Sequence, residues 1–534
     1  MDSDLTNCIP ETIRIHCVRF GVLTSFKPLC MIIMVIQYCA FGFIGHYYFS
    51  YLTKMQDKAV TINEVNPKLL EAQYAVRGQI VVRAGEIEEE IKSGKKYPFD
   101  SLVYCNIGNP QQLNQKPLTF VRQVLALTSY PGLEKIVPEG TFPSDVVERA
   151  HRLLKSNPGG SGAYSNSQGI PEVLKDVADA IGRRDGYPCN PKEIYLSNGA
   201  SQSVQNALML LSTSPNDGFL TPIPQYPLYS ATITLYGTKL IGYYLNEEKD
   251  WGLDMNELET RLEEAKAKGI NLKGMVIINP GNPTGMCLGE EEMRECIRFC
   301  IRNKLVLLAD EVYQENIYVP HKKFVSFRKV ALDMGEEAKN AQIISFHSIS
   351  KGFFGECGRR GGYLQAMGFD PEVFAQITKM WSINLCANTD GQIALDCMVN
   401  PPREGDPSYP LYIEEKSAIL ASLQRRAVKL VAALSKLPGI TCNQVDGSLY
   451  IFFKVVLPKK AVEAAKQRGV APDFLYCEEM LQQTGIVTVP GSGFQQKDGT
   501  YHVRTTILPQ ESEIDKVIER MDGFQHAFMK KYED

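Results

Sequence analysis

A lysine follows a strand-like apolar run, where a structural role would rarely place one. The run Gln342–Ser350 (QIISFHSIS) leads into Lys351, and Arg359 and Arg360 follow eight and nine residues after that lysine. Desolvation and neighbouring cations lower the pKa of a lysine, which makes a neutral amine available for Schiff-base chemistry. The cluster of Ser, Lys and Arg predicts a bound anion beside an amine nucleophile. A solvated surface lysine is the alternative interpretation.

A carboxylate follows another apolar run. Asp310 comes directly after Leu305–Ala309 (LVLLA), and Tyr313 follows three residues later. We expect this run to be buried, and a lone carboxylate in such a place is costly unless a cation pairs with it. The pattern predicts a cationic partner for Asp310 or, alternatively, a helix N-cap.

Ser197–Gln202 (SNGASQ) is a third segment that could bind a ligand, because it follows a predicted strand and opens a predicted helix. Gly199 permits a tight turn there, and the free N–H groups of a new helix suit a phosphate. The alternative is a plain helix start with Ser201 as its N-cap.

The loop Pro280–Gly285 (PGNPTG) ends a further predicted strand. Its two prolines and two glycines fix a rigid loop from which Asn282 is displayed. A purely structural turn is the alternative interpretation.

The elements that must position these residues alternate between strand and helix from about residue 145 to residue 398. The predicted strands are Glu193–Ser197, Gly274–Pro280, Lys304–Tyr313, Gln342–Ser350 and Arg360–Met367, and the helices are Ser201–Leu211 and Glu290–Asn303. Near-continuous apolar strands indicate a parallel sheet covered by helices on both faces. Ligands of such sheets bind beyond the carboxyl ends of the strands.

The pattern changes on either side of this region. Before it we predict a helix over Asn66–Lys92 and a strand at Leu102–Gly108. After it we predict a helix over Tyr412–Leu437, strands at 439–445, 448–455 and 502–508, and a helix near Asp473–Thr484. We therefore expect an N-terminal arm at 55–105, a large domain at 106–405 and a small α+β domain at 406–534.

The composition is that of an ordinary globular protein, with 44% hydrophobic and 22% charged residues among 534. With 57 basic against 61 acidic residues, no positive excess indicates nucleic-acid binding. The fourteen cysteines include no C-x-x-C pair. Cys296 and Cys300 fit two buried thiols on one helical face, so we predict a reduced protein without a metal site.

An uncharged stretch runs from Pro28 to Thr53, after Lys27. It is long enough for one membrane helix, which needs about 20 apolar residues, so residues 30–52 are a possible membrane contact. Residues 1–54 fit a signal anchor, a removable organelle leader or an upstream extension before Met55. The catalytic part is expected in the cytosol or the mitochondrion.

Six segments together resemble one enzyme family. They are SNGAS, PQYPLYS, NPGNPTG, LLADEVY, SFHSISKGFFGECGRRGGY and HVRTTILP. The set is similar to the class I and II aminotransferases of fold type I, which use pyridoxal 5′-phosphate, and within them to the alanine group. The resemblance runs from about Val65 to the C-terminus. It implies a mostly parallel sheet flanked by helices and a smaller α+β C-terminal domain.

By this resemblance, Lys351 would hold the cofactor aldehyde covalently and move the reacting proton. Asp310 would pair with the pyridine nitrogen and keep it protonated, so that the ring acts as an electron sink. Tyr313 and Asn282 would approach the ring hydroxyl, and Tyr226 would stack on the ring face.

The resemblance also implies a set of residues around the cofactor phosphate. They are Ala200, Ser201, Gln202, Ser348 and Arg360. Arg360 is preferred over its neighbour Arg359 because R-G-G-Y resembles the R-x-G-Y pattern of the family.

Three further residues are implied at the substrate and the partner subunit. Arg504 would clamp the substrate α-carboxylate with two parallel hydrogen bonds, and Gly108 and Asn282 would lie close to the same carboxylate. Tyr164 resembles a tyrosine that reaches the phosphate of the partner subunit. A homodimer with shared sites follows.

The implied reaction moves the amino group between L-alanine and 2-oxoglutarate by a ping-pong route. Glutamate:glyoxylate transamination is an alternative within the class, because one methylene is worth only about 1–3 kcal/mol of selection. A non-catalytic relative and a membrane-tethered protein are alternatives of other classes. A non-catalytic relative would be expected to lose Lys351, Asp310 or Arg504.

Overall fold

The computed structural model describes residues 60–74 and 78–533. The predicted leader at 1–54 and its membrane contact at 30–52 lie outside these ranges. Within the described ranges, no helix is both long and apolar enough to cross a bilayer. The chain divides into two units, Met1–Leu70 and Glu71–Asp534. The second unit contains a seven-stranded sheet and a four-stranded sheet.

Helices and strands alternate along most of the second unit. The helices are α1 Pro67–Glu71, α2 Gln79–Lys92, α3 Thr119–Ser129, α4 Leu133–Ile136, α5 Ser144–Ser156, α6 Pro171–Asp185, α7 Ala200–Leu211, α8 Pro227–Leu235, α9 Met255–Ala267, α10 Glu290–Arg302, α11 Phe327–Met334, α12 Pro371–Ile383, α13 Thr389–Val399, α14 Tyr409–Leu434, α15 Lys459–Gln467, α16 Pro472–Thr484 and α17 Ile514–Lys531. The strands are β1 Val103–Tyr104, β2 Ile194–Ser197, β3 Asp217–Ile223, β4 Lys239–Tyr244, β5 Asn271–Ile278, β6 Val306–Asp310, β7 Ile343–Ser348, β8 Gly362–Met367, β9 Ile440–Thr441, β10 Tyr450–Val455, β11 Ile486–Val487, β12 Val489–Pro490 and β13 His502–Thr506.

A seven-stranded sheet of order β2-β8-β7-β6-β5-β3-β4 forms the centre of this unit. The neighbours from β7 through β6, β5 and β3 to β4 all pair in parallel. Successive residues of a strand point to opposite faces. On one face Ile344 packs with α7, and on the other Ile343 packs with α11. The predicted mostly parallel sheet flanked by helices is confirmed.

Strand β8 departs from the parallel pattern. It runs antiparallel to both of its neighbours, β2 and β7. A parallel neighbour would need a long crossover, usually through a helix. Residues 349–361 provide only a short 3₁₀ turn at Cys357–Arg359, so the chain reverses after β7.

The single helix predicted over Asn66–Lys92 is wrong. The described residues form two helices, α1 and α2, with residues 72–74 non-helical between them. Gly78 occupies the N-cap position of α2, in keeping with the low helix propensity of glycine. The predicted strand at Leu102–Gly108 shortens to β1, which pairs in parallel with β11.

A four-stranded antiparallel sheet of order β12-β13-β10-β9 forms the C-terminal part. Its register places Phe452 opposite Arg504 and Tyr450 opposite Thr506. The long helix α14 packs against β10 and α17. The domain boundary between residues 405 and 406 remains a prediction.

Candidate active site

A cavity of about 470 Å³ lies beyond the carboxyl ends of β5, β6 and β7 and beside the four-stranded sheet. Most of the residues that the sequence singled out line its walls. They are Gly108, Ala200, Ser201, Tyr226, Asn282, Asp310, Tyr313, Ser348, Lys351, Arg360 and Arg504. The cavity therefore brings together residues from distant segments of the chain, such as Gly108 and Arg504.

Three residues that the sequence analysis considered for the cofactor phosphate do not line this cavity. The side chain of Gln202 accepts the N–H of Asn198 at 2.7 Å, and Tyr164 is 76% exposed. Arg359 pairs with Glu356 at 3.3 Å. Of the two neighbouring arginines, only Arg360 lies in the cavity wall.

Asp310 is the last residue of β6 and is only 5% exposed. Its Oδ2 accepts a hydrogen bond from the Tyr229 hydroxyl at 3.0 Å, whereas its Oδ1 has no hydrogen-bond partner within residues 60–74 and 78–533. Burial raises the pKa of this carboxyl to about 6, against the opposing effects of the Tyr229 hydroxyl and the Lys351 cation. No helix begins at Asp310, so the N-cap interpretation is wrong.

Lys351 lies three residues beyond the end of β7 and is partly buried. Its Nζ donates a hydrogen bond to the main-chain oxygen of Gly108 at 2.8 Å. The Cys357 thiol lies beside it and donates to the Ser350 carbonyl at 3.0 Å. The amine is therefore held inside the cavity wall, which a solvated surface lysine would not be.

The N-terminus of α7 forms one end of the cavity. Its N-cap is Gly199, with a φ of +81°, so the N-cap interpretation of Ser201 is wrong. A Cβ on Gly199 would also clash with the guanidinium of Arg360. Arg360 donates to the carbonyl of Asn198 at 3.0 Å, which places a cation beside the free N–H groups of the helix. This end suits a dianion.

Arg504 comes from β13 and is only 1% exposed. Its guanidinium donates to Asn282 Oδ1 at 3.1 Å and to the carbonyl of Asn106, whereas its Nε–H has no partner in the described part of the chain. The rings of Tyr450 and Phe494 lie 4.2 and 4.6 Å from the guanidinium carbon. The group is held flat with an unused donor, and an arginine fork of this kind suits a carboxylate.

Sequence reasoning missed three tyrosines around this cavity. Tyr229 supports Asp310, and Tyr74 places its hydroxyl 3.0 Å from that of Tyr226. Tyr450 accepts the N–H of Gly108 at 3.2 Å. The spacing of Tyr226 and Tyr229 on one helix start could have suggested a shared direction, but nothing in the sequence pattern indicates the contacts of Tyr74 and Tyr450.

The chain is similar to known proteins in sequence and in fold. The sequence matches the family described as "Aminotransferase class I and II" over residues 137–521. It is 51% identical to "Alanine aminotransferase 1, mitochondrial" of Arabidopsis thaliana, over 89% of this chain and 88% of the relative. It is 47% identical to "Glutamate--glyoxylate aminotransferase 2" of the same plant, over 90% and 98% of the two chains.

Solved structures share the fold. The alanine aminotransferase of Pyrococcus furiosus superposes with a TM-score of 0.69 at 22% identity, covering 87% of this chain and all of that one. An aminotransferase from Escherichia coli gives the same TM-score over 87% of this chain and 98% of its own. From its family match and its close relatives, the chain belongs to the class I and II aminotransferases.

Proposed function

We propose that this aminotransferase exchanges the amino group between L-alanine and 2-oxoglutarate, giving pyruvate and L-glutamate. Relatives named for alanine aminotransferase activity in a plant and in Dictyostelium discoideum are each 51% identical over 89% of this chain. The observation that carries the proposal is the convergence of Lys351, Asp310 and Arg504 on one cavity. An amine, a buried carboxylate and a carboxylate clamp are the groups that transamination needs.

The residues of the cavity fit pyridoxal 5′-phosphate. The unpartnered Oδ1 of Asp310 suits a protonated pyridine nitrogen, and the start of α7 with Arg360 suits the phosphate. The cavity volume of about 470 Å³ lies within the usual range for small-molecule sites. When bound, the cofactor supplies an electron sink for the pair released as the substrate α-C–H bond breaks.

The chain's own residues hold and move the substrate proton. The Lys351 amine, positioned by the Gly108 carbonyl, would take the proton from the substrate α-carbon and deliver it to the former aldehyde carbon of the bound cofactor. Ionised Asp310 would keep the pyridine nitrogen of the cofactor protonated. Arg504 orients the α-carboxylate, and because both substrates carry that group, one arginine serves both half-reactions.

The assembly and location of the enzyme are further parts of the proposal. The exposure of Tyr164 supports a homodimer in which this side chain reaches the partner subunit's phosphate site. The mitochondrion is the proposed location, because the relatives from Arabidopsis and Dictyostelium carry "mitochondrial" in their names.

Glutamate:glyoxylate transamination is the second candidate, because a relative with that name is 47% identical over 90% of the chain. The test is steady-state turnover of the purified protein with two substrate pairs, alanine with 2-oxoglutarate and glutamate with glyoxylate. We expect the higher kcat/KM with 2-oxoglutarate. A preference for glyoxylate would favour the second candidate, and an absence of turnover with both would favour a non-catalytic relative.

A further inference from the structure

Tyr450 lies at the centre of the cavity and has no role in the function proposed above. It is the first residue of β10 and is 3% exposed. Its ring supports the guanidinium of Arg504 at 4.2 Å, and its ring edge meets Tyr313, with 6.1 Å between the two centroids. The ring therefore packs between Arg504 of the four-stranded sheet and Tyr313, which follows β6.

The Tyr450 hydroxyl and the Lys351 amine converge on Gly108. The hydroxyl accepts the Gly108 N–H at 3.2 Å, and the Gly108 carbonyl accepts the amine at 2.8 Å. A Cβ added to Gly108 would lie 2.5 Å from the Tyr450 oxygen and 2.9 Å from the Lys351 nitrogen. One backbone residue thus joins the tyrosine to the reacting lysine, and only glycine leaves room for both.

The surroundings of this hydroxyl favour negative charge. Burial raises the pKa of Tyr450, but the Lys351 and Arg504 cations and a hydrogen bond from Tyr313 outweigh it, and the pKa lies below its ordinary value. Burial instead raises the pKa of Tyr226 well above the ordinary value. An oxygen that accepts an N–H between two cations occupies a position suited to a carboxylate oxygen.

We propose that the Tyr450 hydroxyl is a placeholder for the substrate α-carboxylate. In the free enzyme it satisfies the Gly108 N–H beside Arg504, and an incoming carboxylate displaces it. The inference rests on the proposed function, because it takes Gly108 and Arg504 as the binding groups of the α-carboxylate. Its physical basis is that a buried N–H left without a partner is costly, so the empty site needs an acceptor.

The test uses propionate, which carries the carboxylate of alanine but no amine and cannot react. Tyr450→Phe keeps the ring beside Arg504 and removes the competing oxygen. Calorimetric titration of the cofactor-loaded variant should give a dissociation constant for propionate about 3- to 10-fold lower than that of the wild type, as expected for one neutral hydrogen bond. Unchanged or weaker binding would overturn the proposal, since a direct ligand of the carboxylate would lose affinity when removed.

Tyr476→Phe is the matched control. It also removes a buried hydroxyl, which donates to Gln525 at 2.6 Å, but it lies outside the cavity wall. Its propionate affinity should equal that of the wild type. Equal tightening in both variants would show a general loosening of the fold and would overturn the placeholder role.

A second measurement leaves the fold untouched. With 3-fluorotyrosine at position 450, the fluorine resonance of the loaded enzyme should shift on saturation with propionate and not with propionamide, which has the same shape without the charge. A resonance that propionate leaves in place would count against displacement. Alanine turnover by the wild type is measured on the same preparation. An absence of turnover would contradict the proposed function. Turnover without propionate binding would contradict only the placeholder role of Tyr450.

Discussion

Two buried aspartates, Asp185 and Asp310, show how differently one side chain is used in this molecule. They are 2% and 5% exposed. Both oxygens of Asp185 are fully engaged, with Arg184 at 2.7 and 2.9 Å, Ser326 at 2.8 Å and Arg328 at 3.0 Å. Asp310 accepts the Tyr229 hydroxyl on Oδ2, whereas its Oδ1 has no hydrogen-bond partner among the described residues.

The pKa values of the two carboxyls move in opposite directions. Burial raises the pKa of both, but the Arg184 guanidinium more than offsets it at Asp185, whose pKa lies below the ordinary value. At Asp310 burial wins, and its pKa rises to about 6. Burial alone therefore does not distinguish the two carboxyls, whereas the unpartnered oxygen beside a cavity is what we expect of a group with a chemical role.

We expect the largest effect from replacing Lys351, whose amine lies in the same cavity as Asp310. Lys351→Ala should lower turnover by at least about 10⁴-fold, because the variant loses both the nucleophile and the acid–base group. The visible absorption that covalent cofactor attachment produces should also disappear, with thermal unfolding near that of the wild type. Residual activity near the wild-type level would show that another group carries the reaction.

The second-largest effect is expected from Asp310→Asn, which tests whether Asp310 has a chemical role that Asp185 lacks. Asp310→Asn is nearly isosteric and should leave the fold intact, but it removes the charge that holds the proton on the pyridine nitrogen. We expect kcat to fall about 10²- to 10³-fold, the range for unbalancing a buried charge pair. Unchanged turnover would mean that the free oxygen of Asp310 has no chemical role.

Asp185→Asn is the matched control and should show the reverse pattern. It leaves the guanidinium of Arg328, which is 4% exposed, without its full countercharge. The free energy of unfolding should fall by about 3–5 kcal/mol, measured by denaturant titration, while turnover per folded molecule stays near the wild-type value. Similar stability losses in Asp185→Asn and Asp310→Asn would show that both carboxyls have the same structural role.

The arginines Arg184 and Arg504 differ in the same way as the two aspartates. The first is committed to Asp185, whereas the second keeps an unpartnered Nε–H beside the cavity. Arg504→Lys keeps the charge but loses the planar fork. We expect kcat/KM to fall about 10- to 100-fold for alanine and for 2-oxoglutarate alike, with cofactor affinity spared. A loss confined to one substrate would show that Arg504 does not bind the shared carboxylate.

The smallest expected effect is on the pH dependence of cofactor binding. As the pH falls through about 6, Asp310 takes up a proton and can no longer pair with a pyridinium cation. The affinity of the apoenzyme for pyridoxal 5′-phosphate should therefore fall from pH 7.5 to pH 5.5 by more than that of Asp310→Asn, by up to about tenfold per pH unit below the pKa. Parallel pH profiles for the two proteins would contradict the assignment.

Asp310, Lys351 and Asn282 could be predicted because each follows a buried run, and strand ends in a parallel sheet meet at one edge. The same logic located Ser201 near the cavity although its capping role was wrong. It could not exclude Gln202 from the cavity wall. The sequence position of Gln202 does not show that its side chain turns back to accept the Asn198 N–H.

The remaining features depend on pairings that no local pattern contains. Tyr229 meets Asp310 across 81 residues, and Tyr450 meets Gly108 across 342. The direction of β8 depends on the length of its connection rather than on its apolar composition. The supports of the site were therefore invisible in the sequence, whereas the reactive groups were not.

The groups that would handle the cofactor sit on the seven-stranded sheet, whereas Arg504 and Tyr450 sit on the four-stranded one. Selection can therefore act on the two sheets separately. Substitutions in β10 or β13 can therefore change how a carboxylate is held without disturbing Asp310 or Lys351.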